Sequence, residues 1–243
     1  MLTVHDVLPL RHPELFTRAN RLHFRRFVAP AARRAAAVLT GSVHVREQIV
    51  ELLDVEPERV DVTPYGISER FRPTEPDPAW LERRFGIRGP YLLTVGAGDP
   101  RKNVVTARQV AGTRQLVVVG QGGVGHVTDD ELVALYGGAG CFLFLSLDEG
   151  FGLPPLEAMA CGCPVLASAR GSLPEVLGDA ALLVEPDADG AATGLARVLQ
   201  DDALRADLRE KGLERARTFS WEACARATTA VYRTAVGDGG GEA

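Results

Sequence analysis

Lysine is nearly absent from this chain: among 27 basic residues, Lys102 and Lys211 are the only lysines and the rest are arginines. A lysine kept in so arginine-rich a sequence marks a place where a compact ammonium meets a specific need. Cysteine is also scarce. Cys141, Cys161, Cys163 and Cys224 form no CxxC pair and lie mostly in apolar surroundings, which argues against a disulfide framework or a zinc site and for small, reduced core residues. No apolar run is long enough to cross a bilayer, and the first residues lack the apolar segment of a secretory signal, so the expected location is the cytoplasm. Positive charge is not in overall excess. The net charge of −5 argues against a nucleic-acid partner. The balance is uneven, however, because residues 1–34 hold seven arginines against Asp6 and Glu14. Residues 11–34 are therefore a candidate peripheral membrane contact.

With 46% hydrophobic residues, the chain of 243 can bury a substantial core. Short apolar runs at 2–4, 35–40, 59–63, 91–95, 116–120, 141–146, 164–168 and 181–184 read as parallel strands, and helical segments separate most of them. This is an α/β pattern, in which ligands gather at the C-terminal ends of strands. Residues 18–37 read as a helix, interrupted or kinked near Pro30. Ser42 reads as the N-cap of a helix carrying Val45, Ile49, Leu52 and Leu53.

The organising stretch is Glu149-Gly-Phe-Gly-Leu-Pro-Pro-Leu-Glu157. It follows the apolar run at 141–146 and leads into a short helix read over 155–160, ended by Gly162. Gly150 and Gly152 would let the backbone approach a ligand. The N–H groups of Phe151, Gly152 and Leu153 at the helix start would face an anion. Glu149 before the loop, and Glu157 in the expected first helical turn, can accept hydroxyl pairs. A second loop, Gly96 to Asn103, brings Arg101 and Lys102 to the end of a strand, where a planar fork and a point charge would meet a diphosphate. Hydroxyls on both sides of a diphosphate describe a nucleotide sugar.

Two motifs compete. Gly120-Gln-Gly-Gly-Val-Gly125 matches G-x-G-x-x-G after a strand, as in an NAD-dependent oxidoreductase. Thr128 and Glu131, however, have capping-box spacing, so the helix begins beyond the third glycine. Asp187-Ala-Asp189 has the form of a metal-binding pair, but its position before a helix makes it a loop and cap. No metal and no cofactor beyond the nucleotide-sugar co-substrate are expected.

The Glu-x7-Glu pattern, its continuation Ala-Met-Ala-Cys-Gly-Cys-Pro-Val165, the loop Asp99-Pro-Arg-Lys-Asn103, Pro64-Tyr-Gly66 and the closing Phe219-Ser-Trp-Glu222 together resemble the retaining glycosyltransferases of family 4. The resemblance implies a GT-B fold, with Rossmann-like parallel sheets flanked by helices. It places a partial N-terminal, acceptor-side domain at 1–70, a linker at 71–90 and a trimmed donor-binding domain at 91–220. A helix at 221–236 crosses back to the first domain, and 237–243 form a disordered tail. It also implies sugar transfer from a nucleotide-diphosphate donor, with His5, Arg101, Lys102 and Glu149 in catalysis. Gly96, Arg101, Lys102, Glu149, Gly150, Phe151, Gly152, Leu153 and Glu157 would bind the donor. The acceptor could be a saccharide, a lipid-linked sugar or a small molecule. The short first domain leaves an alternative: a nucleotide-sugar-binding subunit or inactive relative that needs a partner chain or oligomer to complete it.

Overall fold

A computed structural model describes residues 1–237, apart from the side chain of Ala97. Positions 238–243, most of the expected tail, lie outside the described residues. The chain divides into two compact units. The first comprises Met1–Gly66, Glu149–Phe151 and the residues from Phe219 on, and the second comprises Ile67–Asp148 and Gly152–Thr218.

In the first unit β1 (Leu2–Thr3), β2 (Val38–Thr40) and β3 (Val60–Val62) form a parallel sheet in that order. Leu2 pairs with Val38, and Val38 with Val60. The helix Val43–Leu53 starts because the Ser42 hydroxyl accepts the Val45 N–H at 3.2 Å. Its buried Val45, Ile49 and Leu53 join Val4, Val7, Ala29, Ala32 and Val38 in one core. The basic segment is a helix interrupted just before Pro30. It runs as Arg18–His23, a π-helical turn Phe24–Val28, and Ala29–Arg34. Pro30 has no N–H for the carbonyl four residues back, and its ring would strike that carbonyl. The ladder widens just before it, with the Ala29 N–H donating to the Phe24 carbonyl. The final helix, Trp221–Val236, is capped by Ser220 and belongs to this unit.

In the second unit β4 (Tyr91–Ala97), β5 (Gln115–Gly120), β6 (Cys141–Phe144), β7 (Val165–Ser168) and β8 (Leu182–Val184) form a five-stranded parallel sheet ordered β5-β4-β6-β7-β8. Every residue of β6 and β7 is buried, as expected of strands covered on both faces. Leu92, Leu143, Leu145 and Leu166 pack with Ala191, Leu195 and Val198 of the helix Ala188–Gln200 and Leu208 of the helix Asp202–Arg217. Residues 71–90 lie within this unit and contain the helix Pro78–Phe85, capped by Asp77, with Leu81 buried. β5 and β6 lie on opposite sides of β4, so the chain reverses its progress across the sheet there. A crevice at such a switch point is where open α/β sheets bind ligands.

Candidate functional site

Both loops singled out in the sequence leave the second sheet at this switch point. After β4, Gly96 has φ 96°, and a Cβ on it would lie 2.5 Å from Cγ of Lys102. The glycine thus lets the lysine stem cross the strand end. Asp99 organises the rest of the loop. Its Oδ1 accepts the Arg101 backbone N–H at 3.0 Å and Nε–H at 3.2 Å, while Oδ2 accepts Nη2–H at 2.6 Å. Arg101 is thereby held as a fork with its side chain 19% exposed. The Lys102 ammonium lies 4.7 Å from the centre of the Phe144 ring, a cation–π contact on β6. Asn103, at φ 50°, clamps the far end by donating to the Pro186 carbonyl at 2.8 Å. The loop after β6 is tied to this one: the Leu147 N–H donates to the Arg101 carbonyl at 2.8 Å.

The helix after that loop runs Leu153–Ala160, two residues longer at its start than the sequence suggests. Gly152 is its N-cap at φ 102°, and a Cβ there would come 2.6 Å from Leu173. The earlier start has two consequences. Pro154 and Pro155 fall in the first turn and remove two of the N–H groups that a helix end normally offers. Gly152 and Leu153 remain, and neither donates a backbone hydrogen bond among the described residues. Glu157 also moves to the second turn, against the expectation of the first. There the Tyr136 hydroxyl donates to its Oε2 at 3.4 Å. Burial pushes the Glu157 carboxyl up to about 7; the Tyr136 hydrogen bond opposes the rise and the Asp129 charge adds to it. Tyr136 itself is held well above the usual phenol range, first by burial and then by the Glu157 charge. It is carried by the helix Asp129–Gly138, which starts with the expected reciprocal Thr128–Glu131 capping box.

The competing motifs fold otherwise. Gly120 and Gly125 form an antiparallel bridge, with the Gly120 N–H donating to the Gly125 carbonyl at 3.0 Å. The glycine run closes on itself, and the next helix opens only at Asp129. A dinucleotide cradle needs the third glycine to pack a helix onto its strand, and this arrangement lacks it. Asp187 caps the helix Ala188–Gln200 through the Gly190 N–H at 2.7 Å. No group of three or more potential metal ligands occurs among the described residues.

The remaining predicted residues lie in the first unit. His5 is exposed after β1, with Nδ1 2.8 Å from the Tyr65 hydroxyl. Glu149 is buried. Gly150 was expected to make room for a ligand, but its neighbour is the protein itself. A Cβ there would lie 2.7 Å from the His5 carbonyl oxygen and 3.1 Å from Asp6 Cβ, and the Ser42 hydroxyl donates to its carbonyl at 2.7 Å. The Phe151 ring is buried against Tyr65 and Phe219, with centroids 4.9 and 5.7 Å away. Three residues were not identified from sequence: Tyr65, Asp99 and Tyr136. Asp99-Pro was a readable turn signal. Tyr65 enters the sequence reading only within the Pro64-Tyr-Gly66 motif, and nothing local distinguishes Tyr136 from an ordinary apolar helix position.

Residues 120–215 match the family model described as glycosyl transferases group 1. The O-antigen chain mannosyltransferase B of Escherichia coli is 32% identical over 264 residues, covering 95% of this chain and 69% of the relative. The sucrose-phosphate synthase of Thermosynechococcus elongatus superposes with a TM-score of 0.77 at 26% identity, covering 96% of this chain and 67% of that structure. The Anabaena protein HepE, solved with UDP and glucose, superposes with a TM-score of 0.79 at 19% identity, covering 95% of this chain and 70% of that one.

Proposed function

The chain belongs to the glycosyl transferases group 1 family, with the parallel-sheet α/β fold of the GT-B glycosyltransferases, and from that premise we propose that it moves a sugar from a nucleotide-diphosphate donor to an acceptor with retention of anomeric configuration, as family 4 does. The observation that carries this reading is the paired loop system at the β4/β6 switch point. One hydrogen bond ties an Arg101–Lys102 loop to the loop that leads into the Leu153 helix. Two cationic side chains and the helix-end N–H groups of Gly152 and Leu153 supply fixed donors for the charge that develops on a departing diphosphate. Preorganised donors of this kind are commonly the largest catalytic contribution, with roughly 3 kcal/mol lost per donor removed. Glu157 accepts the ribose hydroxyls, and Glu149 orients the transferred sugar together with His5. Asp99 holds Arg101 in position and shares it with the incoming phosphate. No step is assigned to a metal.

The relatives named mannosyltransferases make a mannosyl nucleotide the first donor to test, and the UDP and glucose found with HepE make UDP-glucose the second. Calorimetric titration with these, with UDP, GDP and ADP, and with NAD tests the reading. One nucleoside diphosphate should bind, and Arg101→Ala should weaken it by about 1.5–3 kcal/mol, the worth of a hydrogen bond to a charged group. Unchanged affinity and turnover in Arg101→Ala would remove the assignment, and binding of NAD alone would replace it with a dehydrogenase.

The same reading places the enzyme against an anionic lipid surface through residues 11–34. Leu22 and Phe27 are 59% and 63% exposed on a segment that carries Arg18, Arg25 and Arg26 and has no acidic residue between 15 and 46. Apolar side chains set among arginines suit the boundary between headgroups and acyl chains.

A further inference from the structure

The Tyr65 ring is held on several sides within the first unit. It lies on Gly41, where a Cβ would come 2.6 Å from Cε2, and against Phe151 and Trp221 at centroid distances of 4.9 and 6.4 Å. Its oxygen stands 2.8 Å from Nδ1 of His5, with the two rings tilted at 56°. A phenol O–H donates better than it accepts, and a neutral imidazole carries one unprotonated ring nitrogen as the matching acceptor. Asp6 accepts the Leu8 N–H through Oδ1 at 3.1 Å, and the side chain within hydrogen-bond distance of the Tyr65 oxygen is His5. The acceptor that this distance offers the Tyr65 hydroxyl is Nδ1. Burial keeps that proton on the phenol, pushing it up to about 12.

We infer that Tyr65 is a positioning residue: it donates its proton to Nδ1 of His5, fixes the imidazole as the Nε2–H tautomer, and makes His5 a hydrogen-bond donor rather than a base toward the sugar or acceptor. The inference rests on the role proposed for His5 and adds its chemical sense. A ring whose Nδ1 is occupied as an acceptor has one remaining nitrogen, and that nitrogen carries a proton. It can then stabilise a lone pair or a developing oxyanion, but it cannot take a proton from an acceptor hydroxyl.

The test has a spectroscopic arm and a kinetic arm. In long-range 1H–15N correlation spectra of the neutral imidazole, assigned with His5→Ala, His5 should appear as the Nε2–H form, and Tyr65→Phe should shift it toward a tautomer mixture. An Nδ1–H form in the native protein, or an identical spectrum in Tyr65→Phe, would overturn the inference whether or not the chain transfers sugar. In transfer assays, the amide of His5→Gln reaches the Nε2 position and that of His5→Asn the Nδ1 position. His5→Asn should therefore fall at least about tenfold below His5→Gln in kcat, and Tyr65→Phe should lower kcat by about tenfold with native His5 but have little further effect on His5→Gln, the coupling expected of contacting residues. Equal losses in the two backgrounds, or His5→Asn as active as His5→Gln, would show that Tyr65 is merely structural. A donor that binds while this kinetic order fails sinks the positioning role alone; a chain that binds no donor sinks the transferase reading and leaves the tautomer measurement standing.

Discussion

Glu157 holds its proton into a range where a surface carboxylate has long been ionised, because burial outweighs the Tyr136 hydrogen bond. Its titration gives two trends of opposite sign. The ionised form accepts ribose hydroxyls best, so donor affinity should rise with pH through about 7 and level off above it. The stability of the free protein should move the other way. The folded pKa lies above the unfolded one, so the native state binds the extra proton between 4.5 and about 7. That stabilisation is complete below this window and is lost across it, by about 3 kcal/mol at ~1.4 kcal/mol per unit. Calorimetric affinity and thermal unfolding, followed across this range, should diverge in the wild type and lose their pH dependence in Glu157→Gln. Parallel curves in the two proteins would mean that Glu157 is an ordinary carboxylate.

At the scale of elements, Gly150 shows how one residue lets two loops of the first unit meet. A Cβ at this position faces a backbone carbonyl oxygen, which cannot rotate away as a side chain could. Gly150→Ala should cost about 1–3 kcal/mol, the usual price of overpacking, and lower the unfolding midpoint by several degrees; an unchanged midpoint would show that the loops yield. The strands were legible because buried parallel strands are written as continuous apolar runs, as at Cys141–Phe144 and Val165–Ser168. Caps at Ser42, Thr128 and Asp187 were legible because each is a local bond between residues three apart. The start of the Leu153 helix was obscured by Pro154 and Pro155, which fit a first turn as well as a loop. The switch-point cations were legible from composition, with one of two lysines beside an arginine at a strand end. The neighbour of Gly150 and the hydroxyl on His5 were not, since each depends on residues far apart in the sequence.

Over the whole molecule, a net charge of −5 coexists with an arginine-rich segment near its start. Binding to vesicles that contain anionic lipid should therefore be measurable, should weaken as salt screens it, and should drop sharply in a Leu22→Glu, Phe27→Glu double variant. Equal binding to neutral vesicles, or no change in the variant, would assign these side chains another role. Their outward position traces to the π-helical turn. In an unbroken α-helix, Leu22 would lie seven residues above Ala29, on the same stripe, and Ala29 is buried. Five residues wound at the wider π pitch leave roughly a quarter-turn missing. That phase shift carries Leu22 off the inward stripe, so what this surface presents is set by winding as much as by composition. Pro30 brings neither charge nor exposed bulk of its own, yet by forcing the wider turn it decides which side chains the segment shows to its surroundings.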